Sequence, residues 1–327
     1  MQRGGGRSNS AVPVYLEREI VSSLGMSTSW NAAAAATGRQ IVEEIKVLGF
    51  DTIEVDYRIT AEAATDIILA VKRGEINVSS VHNFTPLAPG EKPSSGGGHK
   101  LQLTSLDEAE RQRAVDLTLV SAEFAQQLGA RALILHLGET GLGRGYVKEL
   151  AEIVRTQGVD SAEAVALRQR VIEARAQQAA PYIDAGVHSL LDILGMTRNS
   201  GLIVCLENRY HYHQIPLPDE VLEIMRRIPT PRLKYWHDLG HAHVLEVLGF
   251  QPHLPVLRLL KDHTYGMHIH DSVFTSDHKA PGTGEIDFAA VLAEAPAGAL
   301  KVLELAPSVT REEIAAGIKV LEMAMAR

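Results

Sequence analysis

Eight short runs of apolar residues recur along the chain, separated by longer segments with helical periodicity. The runs are nearly continuous and rich in Leu and β-branched residues, which is typical of parallel strands covered on both faces. Parallel neighbours need a long crossover, usually a helix, and the intervening segments supply it. The predicted strands are Ile20–Leu24, Thr52–Asp56, Asn77–His82, Ala132–His136, Leu202–Glu207, Leu233–His237, Gly266–His270 and Lys301–Leu305.

These eight units predict an α/β fold, a single (β/α)₈ TIM barrel with its active site at the C-terminal ends of the strands. The main rival, a doubly wound open sheet, normally carries a glycine-rich phosphate turn after its first strand. The sequence after the first predicted strand is Gly25-Met-Ser-Thr-Ser and lacks that pattern. No break in the alternation marks a second domain, so we predict a disordered N-terminal tail over 1–18 and a catalytic barrel over 19–327.

Several helix starts are visible in the sequence. Ser105-Leu-Asp-Glu108 and Thr310-Arg-Glu-Glu313 both fit the capping box, and each precedes an amphipathic run. Thr60 is the predicted N-cap of the second helix. Two connections, 85–104 and 138–160, are unusually long and follow strands at their C-terminal ends. Long loops at that end of a barrel are typical of lids and substrate-binding loops.

The charge and hydropathy of the chain narrow the classes of function. The net charge of -8 argues against broad binding to nucleic acid or anionic membranes, which need clustered Lys and Arg. No run of 18 apolar residues predicts a membrane span, and the Gly-, Arg- and Ser-rich N-terminus lacks the apolar region of a secretory signal. We therefore expect a cytoplasmic protein that acts on a small molecule, with no nucleic-acid or membrane partner.

Acidic or His residues stand at the ends of four successive predicted strands. Such groups are costly to bury unless they are paired or bound to a metal, and at one end of one barrel they would converge on a single point. Three carboxylates and one imidazole suit Mn²⁺, Mg²⁺, Co²⁺ or Zn²⁺, and the oxygen-rich set favours the harder ions. We therefore predict one divalent metal ion held by Glu207, Asp238, His268 and Glu304. His270 points the same way as His268 in an ideal strand, so the spacing alone leaves both as candidate ligands.

The order of these motifs resembles the xylose-isomerase-like TIM-barrel superfamily of sugar isomerases and epimerases, which also includes the endonuclease IV family. The similarity covers most of the chain from Glu19 onward. The matching positions are Glu207 in Leu-Glu-Asn, Asp238 and His241 in Asp-Leu-Gly-His, His268 in His-Ile-His-Asp, Glu304 in Leu-Glu-Leu, and the turn Pro281–Asp287. Asp271, three residues after His268, matches the family's pattern and favours His268 over His270 as the ligand.

The resemblance implies a divalent-metal-dependent sugar isomerase or epimerase that moves a proton through an enediolate. Glu207 and Glu304 would be the catalytic acid and base as well as metal ligands. The implied substrate contacts are His241, His82, His136, His270 and Asn208. By analogy with other barrels of this chemistry, a homo-oligomer is also expected.

The resemblance leaves two other activities open. A zinc-dependent endonuclease acting at abasic DNA sites is favoured by His82 and His136, which resemble the His pair that binds a further zinc in the endonuclease IV branch. The acidic charge and the adjacent Asp277-His278, where that branch has Asp-x-His, argue against it. Dehydratases of inositol derivatives reuse the same metal and carboxylates. A barrel that only binds a ligand would be expected to lack one of the two Glu residues, and this chain has both.

Overall fold

In the computed structural model, residues 24–92 and 101–326 are described, and twelve strands occur within them. The strands are β1 Gly25–Ser27, β2 Thr52–Val55, β3 Asn77–His82, β4 Ala132–Leu135, β5 Gly138–Glu139, β6 Ile203–Glu207, β7 Gln214–Ile215, β8 Leu233–Asp238, β9 Thr264–Ile269, β10 Asp271–Val273, β11 Ser276–Lys279 and β12 Leu300–Leu303. Eight of them close a parallel barrel in the order β1-β12-β9-β8-β6-β4-β3-β2. The predicted (β/α)₈ barrel is confirmed.

Helices follow the barrel strands and cover the outside of the sheet. They are α1 Gly38–Val47, α2 Ala61–Lys72, α3 Glu108–Gln127, α4 Gly145–Gln157, α5 Ala162–Ala176, α6 Ala179–Met196, α7 Pro218–Arg227, α8 Leu239–Val247, α9 His253–Leu260, α10 Phe288–Glu294 and α11 Arg311–Met325. Two 3₁₀ turns add Thr28–Trp30 and Lys261–His263. None of the helices in the described residues is long and apolar enough to cross a bilayer.

The predicted first strand, Ile20–Leu24, is wrong where it can be compared. Residues 20–23 lie outside the described residues, and Leu24 is buried but precedes the strand. The strand is Gly25–Ser27, in which Gly25 pairs with Val302 of β12 and Met26 pairs with Ile53 of β2. Barrel closure between β12 and β2 therefore sets the position of this strand, and the β-propensity of the preceding residues does not. The predicted tail over 1–18 also lies outside the described residues.

Two small antiparallel pairs at the C-terminal end of the barrel were not predicted. β5 pairs with β7, which links the start of the 138–160 connection to the segment after β6. β10 pairs with β11 in a hairpin directly after β9. The 138–160 connection is therefore ordered by β5 and α4. In the 85–104 connection, residues 93–100 lie outside the described part of the chain.

The predicted helix caps hold at two of three positions. Thr60 accepts a hydrogen bond from the Ala63 N–H, and Thr310 forms a complete capping box with Glu313. In α3 the N-cap is Asp107, which accepts from the Glu110 N–H at 3.0 Å, and the prediction of Ser105 was wrong. Asp caps a helix as well as Ser does, so the helix begins two residues later than the motif suggested.

The barrel interior is filled beneath the strand ends by the indole of Trp236, which is fully buried with Ala132, Ile134, Cys205 and Val302. The indole lies against the backbone of Gly266 on the neighbouring strand β9. A Cβ atom at position 266 would come within 2.1 Å of the ring. Glycine is therefore required here by close approach, and the packed ring forms a floor under the side chains at the strand ends.

Side chains along β8 alternate between the barrel interior and the helix layer. Tyr235 and His237 face the helices, where the Tyr235 hydroxyl lies 3.0 Å from His237 Nδ1 and His237 Nε2 lies 2.9 Å from His253 Nε2. Both imidazoles are buried. Burial lowers the pKa of His253 to about 4, and burial together with His253 lowers the pKa of His237 well below its ordinary value. The pair is therefore neutral in the folded protein at neutral pH.

Replacing His253 with Phe is expected to flatten the pH dependence of stability between pH 6.5 and about 4. Between these pH values the His253 imidazole is protonated in the unfolded chain but not in the folded protein. Its contribution to the free energy of unfolding is therefore fully present above pH 6.5 and is lost as the pH falls toward about 4. The pKa change from 6.5 to about 4 corresponds to roughly 3 kcal/mol. Thermal denaturation at a series of pH values measures the slope.

The matched control is His188→Gln, because His188 is exposed on α6. This variant should keep the wild-type slope. A His253→Phe variant that also keeps the wild-type slope would show that the buried pair does not contribute to the acid sensitivity.

Candidate active site

The four predicted metal ligands converge at the C-terminal end of the barrel. Glu207 and Asp238 end β6 and β8, His268 lies one residue before the end of β9, and Glu304 directly follows β12. All four are buried, and their ligand atoms lie within 4.8 Å of one another. His268 Nδ1 is central, at 2.8 Å from Glu207 Oε1, 3.5 Å from Asp238 Oδ2 and 3.0 Å from Glu304 Oε2.

A fourth carboxylate, Glu54 of β2, orients the His268 ring and was missed from the sequence. His268 Nε2 lies 3.0 Å from Glu54 Oε1, and the Ser80 hydroxyl donates to Glu54 Oε2 at 2.8 Å. When Nε2–H donates to Glu54, Nδ1 is directed toward the other three carboxylates, where its lone pair would be available to a metal ion. The sequence signal that could have identified Glu54 is its position inside the short strand Thr52–Val55. The structure shows that its side chain is fully buried.

The electrostatics of this cluster require a positive charge at its centre. Burial alone would raise the pKa of Glu207 and of Asp238, but the adjacent imidazoles hold both well below their ordinary values. The pKa of Glu304 is likewise lowered by His268 and His278 against the effect of burial. Burial would lower the pKa of His268, yet the carboxylates Glu304, Glu54 and Glu207 raise it well above normal. A divalent cation satisfies the same requirement, so the donor set fits a metal ion.

His270 lies beside this cluster with both ring nitrogens engaged. Its Nδ1 accepts a hydrogen bond from the His278 N–H at 2.9 Å, so Nε2 carries the proton and donates to Asp238 Oδ2 at 2.9 Å. This arrangement orients Asp238 and supports His268 as the ligand. The substrate contact assigned to His270 stays a prediction.

Asn208, another predicted substrate contact, joins the ends of β6 and β8. Its amide nitrogen donates to the Asp238 carbonyl at 2.9 Å, and the Asp238 N–H donates to its amide oxygen at 2.6 Å. These bonds fix Asp238 relative to the neighbouring Glu207. Because both ends of the amide are engaged with the backbone of β8, the position of Asn208 favours support of the cluster, and its substrate contact stays a prediction.

His82 and His136, at the ends of β3 and β4, both face Glu207. Their Nε2 atoms lie 3.2 Å and 2.5 Å from Glu207 Oε2. Burial would lower the pKa of His82, but its hydrogen bond to Glu207 raises it. His82, His136 and Glu207 form a second group whose ligand atoms could hold a cation. Glu207 is thus shared between two candidate sites.

A third group consists of His241, Asp277 and His278. Asp277 and His278 are adjacent on β11, where consecutive side chains normally point to opposite faces. His278 has a φ of 57°, which breaks this alternation and turns its ring toward the site. Its Nδ1 lies 3.1 Å from Asp277 Oδ2, and His241 Nε2 lies 3.8 Å from the same oxygen. Although Asp277 and His278 lack the intervening residue of the Asp-x-His motif, their side chains therefore lie close to each other and to His241.

One carboxylate fixes the loop that follows this hairpin. Asp271 accepts hydrogen bonds from the N–H groups of Gly282 and Gly284, both at 2.8 Å, and of Ile286 at 3.1 Å. A Cβ atom on Gly284 would lie 2.4 Å from the Asp271 carboxylate. The turn Pro281–Asp287 therefore forms a compact backbone cradle around the Asp271 carboxylate.

The ligand groups open into a cavity of about 410 Å³, within the size range of small-molecule sites. Its floor includes Glu207, His241 and Glu304, and Arg58, Arg209 and Arg144 line its walls. Arg144 precedes α4, so the long 138–160 connection contributes to the cavity as predicted.

A sequence model described as the xylose isomerase-like TIM barrel matches residues 42–322. The chain belongs to this family. Several solved structures share the fold of this xylose isomerase-like barrel. A D-tagatose 3-epimerase-like protein is 17% identical, with a TM-score of 0.65 over 93% of this chain and 97% of that one. The apo form of 3-keto-D-glucoside 4-epimerase from E. coli is 15% identical, with a TM-score of 0.65 over 92% and 99%.

A third structure is the IolI protein with a bound zinc atom, which is 13% identical, with a TM-score of 0.60 over 93% of this chain and 96% of that one. Comparison with curated protein sequences gives no significant match. At these identities the structural comparisons establish the fold. The resemblance to the xylose-isomerase-like superfamily, inferred from the sequence, is confirmed.

Two substitutions test the metal site of this xylose isomerase-like barrel. Asp238→Asn removes the charge of a predicted ligand and should leave little metal bound after reloading with Mn²⁺ or Zn²⁺. Glu54→Gln keeps the ligands but weakens the carboxylate behind His268, so affinity should fall roughly 10- to 100-fold. Equilibrium dialysis with elemental analysis measures both effects.

The control for both variants is Glu62→Gln, because Glu62 is exposed on α2. It should bind the metal as the wild type does. Wild-type stoichiometry in Asp238→Asn would show that the ion, if bound, lies elsewhere.

Proposed function

We propose that this protein is a divalent-metal-dependent sugar isomerase or epimerase. The observation that carries the proposal is that Glu207 and Glu304 both line an open cavity and lie 2.8 Å and 3.0 Å from His268 Nδ1. Moving a proton next to a carbonyl requires a base beside the carbon and an acid that returns the proton. Two carboxylates that face one bound sugar can perform both steps.

Glu207, Asp238, His268 and Glu304 would hold the metal ion. When bound, a divalent ion would polarise the carbonyl and hydroxyl oxygens of the sugar and make the neighbouring C–H more acidic. Glu54, His270 and Asn208 would keep the ligands in place through the hydrogen bonds described above. The oxygen-rich ligand set favours Mn²⁺ or Mg²⁺ over softer ions.

Both carboxylates are ionised at neutral pH, because their pKa values are lowered by the adjacent imidazoles. Either can therefore remove a proton from the carbon next to the carbonyl and generate an enediolate. Return of the proton to the neighbouring carbon by the same carboxylate, with transfer of the hydroxyl proton to the former carbonyl oxygen, gives an isomerase. In an epimerase the second carboxylate first takes up a proton from solvent and delivers it to the opposite face of the same carbon, while the first carboxylate keeps the proton that it removed. The substrate contacts would come from His241 and His136, which line the cavity, and from His82, whose Nε2 lies 3.2 Å from Glu207 Oε2.

The named activities of two structural neighbours support this assignment. One is described as D-tagatose 3-epimerase-like and another as a 3-keto-D-glucoside 4-epimerase, and the IolI structure holds zinc. The proposal also retains a small-molecule sugar as the partner, a cytoplasmic location and a homo-oligomeric state.

Deuterium exchange from D₂O into a panel of ketoses tests the proposed chemistry directly, because solvent label enters the substrate whenever an enediolate forms. The wild type loaded with Mn²⁺ should incorporate deuterium at carbon next to the carbonyl. Glu207→Gln and Glu304→Gln should each lower the exchange rate by about 10²- to 10⁴-fold, since the base or acid is lost. Mass spectrometry and proton NMR measure the label.

Glu312→Gln, at an exposed position in the first turn of α11, is the matched control and should exchange at the wild-type rate. Metal content is measured on the same samples, so loss of the ion is separated from loss of the acid or base. Near-normal exchange in either active-site variant would remove that residue from the mechanism.

Four adjoining ligand groups in the described residues support a second candidate, a zinc-dependent endonuclease acting at abasic sites in DNA. Glu207 is shared by the predicted metal site and the group of His82 and His136. A fourth group, His270, His278 and Glu304, links the predicted metal site to the group of His241, Asp277 and His278. Several cations held side by side suit phosphodiester hydrolysis, in which the attacking and leaving oxygens both need stabilisation. The net charge of -8 opposes this candidate.

A duplex containing a single abasic site separates the two candidates. We expect no cleavage by the zinc-loaded protein above the level of a metal-free sample, read on a denaturing gel. Efficient nicking that is lost in His82→Gln would favour the endonuclease, because His82 belongs to the group that a sugar epimerase does not need for its metal.

A further inference from the structure

Arg209 carries a guanidinium whose hydrogen-bonding capacity is largely unused. It follows Glu207 by two residues, and 11% of its side chain is exposed. Its Nε and Nη1 atoms are buried and have no hydrogen-bond partner within residues 24–92 and 101–326. A buried donor without a partner costs free energy, and the cost is larger when the group is charged. Arg209 lines the cavity above the predicted metal ligands, and the exposed 11% of its side chain is the part that a ligand in that cavity can touch.

An ion pair with Glu207 does not account for the position of the Arg209 guanidinium. The nearest carboxylate oxygen, Glu207 Oε2, lies 3.9 Å from Arg209 Nη1, beyond hydrogen-bond distance. Arginine that serves a carboxylate usually forms two short parallel bonds. Glu207 instead directs its oxygens toward His136 and His268. Among the described residues, the paired N–H donors of the Arg209 guanidinium, its fork, therefore have no carboxylate at hydrogen-bond distance from Nε or Nη1.

The two other arginines of the cavity are paired within the protein and add positive potential to the same wall. Arg58 donates to Asp56 Oδ1 at 2.8 Å, and Arg144 lies 3.3 Å from Glu139 Oε2. They differ from Arg209, whose buried Nε and Nη1 have no such partner in the part of the chain that the structure describes. The cavity thus combines an acidic floor that suits a cation with a basic wall that suits an anion.

We propose that the substrate is an acidic sugar, and that Arg209 binds its carboxylate or phosphate group with both arms of the guanidinium. This inference rests on the proposed function and specifies its substrate class. The carbonyl and hydroxyl groups of the sugar lie over Glu207 and Glu304, and the anionic group lies against Arg209, with Arg58 and Arg144 nearby. The shared chemistry of carboxylate and phosphate is a set of anionic oxygens that accepts a planar pair of N–H donors.

Three ketoses distinguish the two sources of the anion. They are ribulose, which is neutral, ribulose 5-phosphate, and fructuronate, a ketose with a carboxylate. Deuterium exchange with the Mn²⁺-loaded wild type should give a kcat/KM for one of the acidic ketoses at least about 10-fold above that of ribulose. Preference for ribulose 5-phosphate assigns the phosphate, and preference for fructuronate assigns the carboxylate.

Arg209→Met should lower kcat/KM for the preferred acidic ketose by about 10- to 100-fold and bring its ratio to ribulose close to one. Arg209→Lys, which keeps the charge but loses the fork, should fall between this variant and the wild type. Arg226→Met is the matched control, because Arg226 is exposed on α7, and it should keep the wild-type preference. A wild type that prefers ribulose overturns the inference. So does an Arg209→Met variant that loses activity equally on all three sugars, since that pattern indicates support of Glu207.

Calorimetric titration of the same proteins with the same three sugars separates this inference from the proposed function. If no sugar exchanges deuterium, the isomerase proposal fails. Binding of an acidic ketose that is weakened in Arg209→Met, with weaker or no binding of ribulose, then still supports an anionic ligand. Equal affinity of the wild type and Arg209→Met for both acidic ketoses overturns it.

Discussion

The imidazole of His268 lies between Glu54 on one side and Glu207, Asp238 and Glu304 on the other. This concentration of buried negative charge is unfavourable unless a cation lies within it. A proton on the imidazole supplies one positive charge, and a divalent metal ion supplies two. The surrounding residues keep the carboxylates from relaxing away from each other. His270 and Asn208 hold Asp238, and His82 and His136 hold Glu207.

The cavity above this cluster has the opposite charge character. Although the chain as a whole is acidic, three arginines line the wall of the site, and one of them has buried donors with no partner among the described residues. Overall charge therefore says little about the charge that a substrate meets. A small molecule with an anionic group would place its polar oxygens on both surfaces at once, which orients it for proton transfer.

The four candidate ligands could be identified from the sequence because a β/α unit has a nearly constant length. Their spacing placed Glu207, Asp238 and Glu304 at equivalent strand ends and left His268 and His270 as candidates on the strand between them. The resemblance to the family then favoured His268. Glu54 escaped notice because it lies within its strand, and its contact with His268 exists only after the barrel has closed. Asp277 and His278 both face the site because His278 has a positive φ. No pattern in the sequence predicts that backbone angle. The first strand was misplaced because pairing with β12 and β2 selects Gly25–Ser27 over a more β-prone segment.

The contact between Trp236 and Gly266 couples two positions that are thirty residues apart in sequence and adjacent in the barrel. The indole occupies the space that any side chain at position 266 would need. Neither position can therefore change freely while the other stays as it is. Relatives with a larger residue at position 266 are expected to carry a smaller one at position 236, so the two sites should vary together during evolution. Trp236 and Gly266, which together form the packed layer beneath the cavity, should therefore be conserved or replaced as a pair.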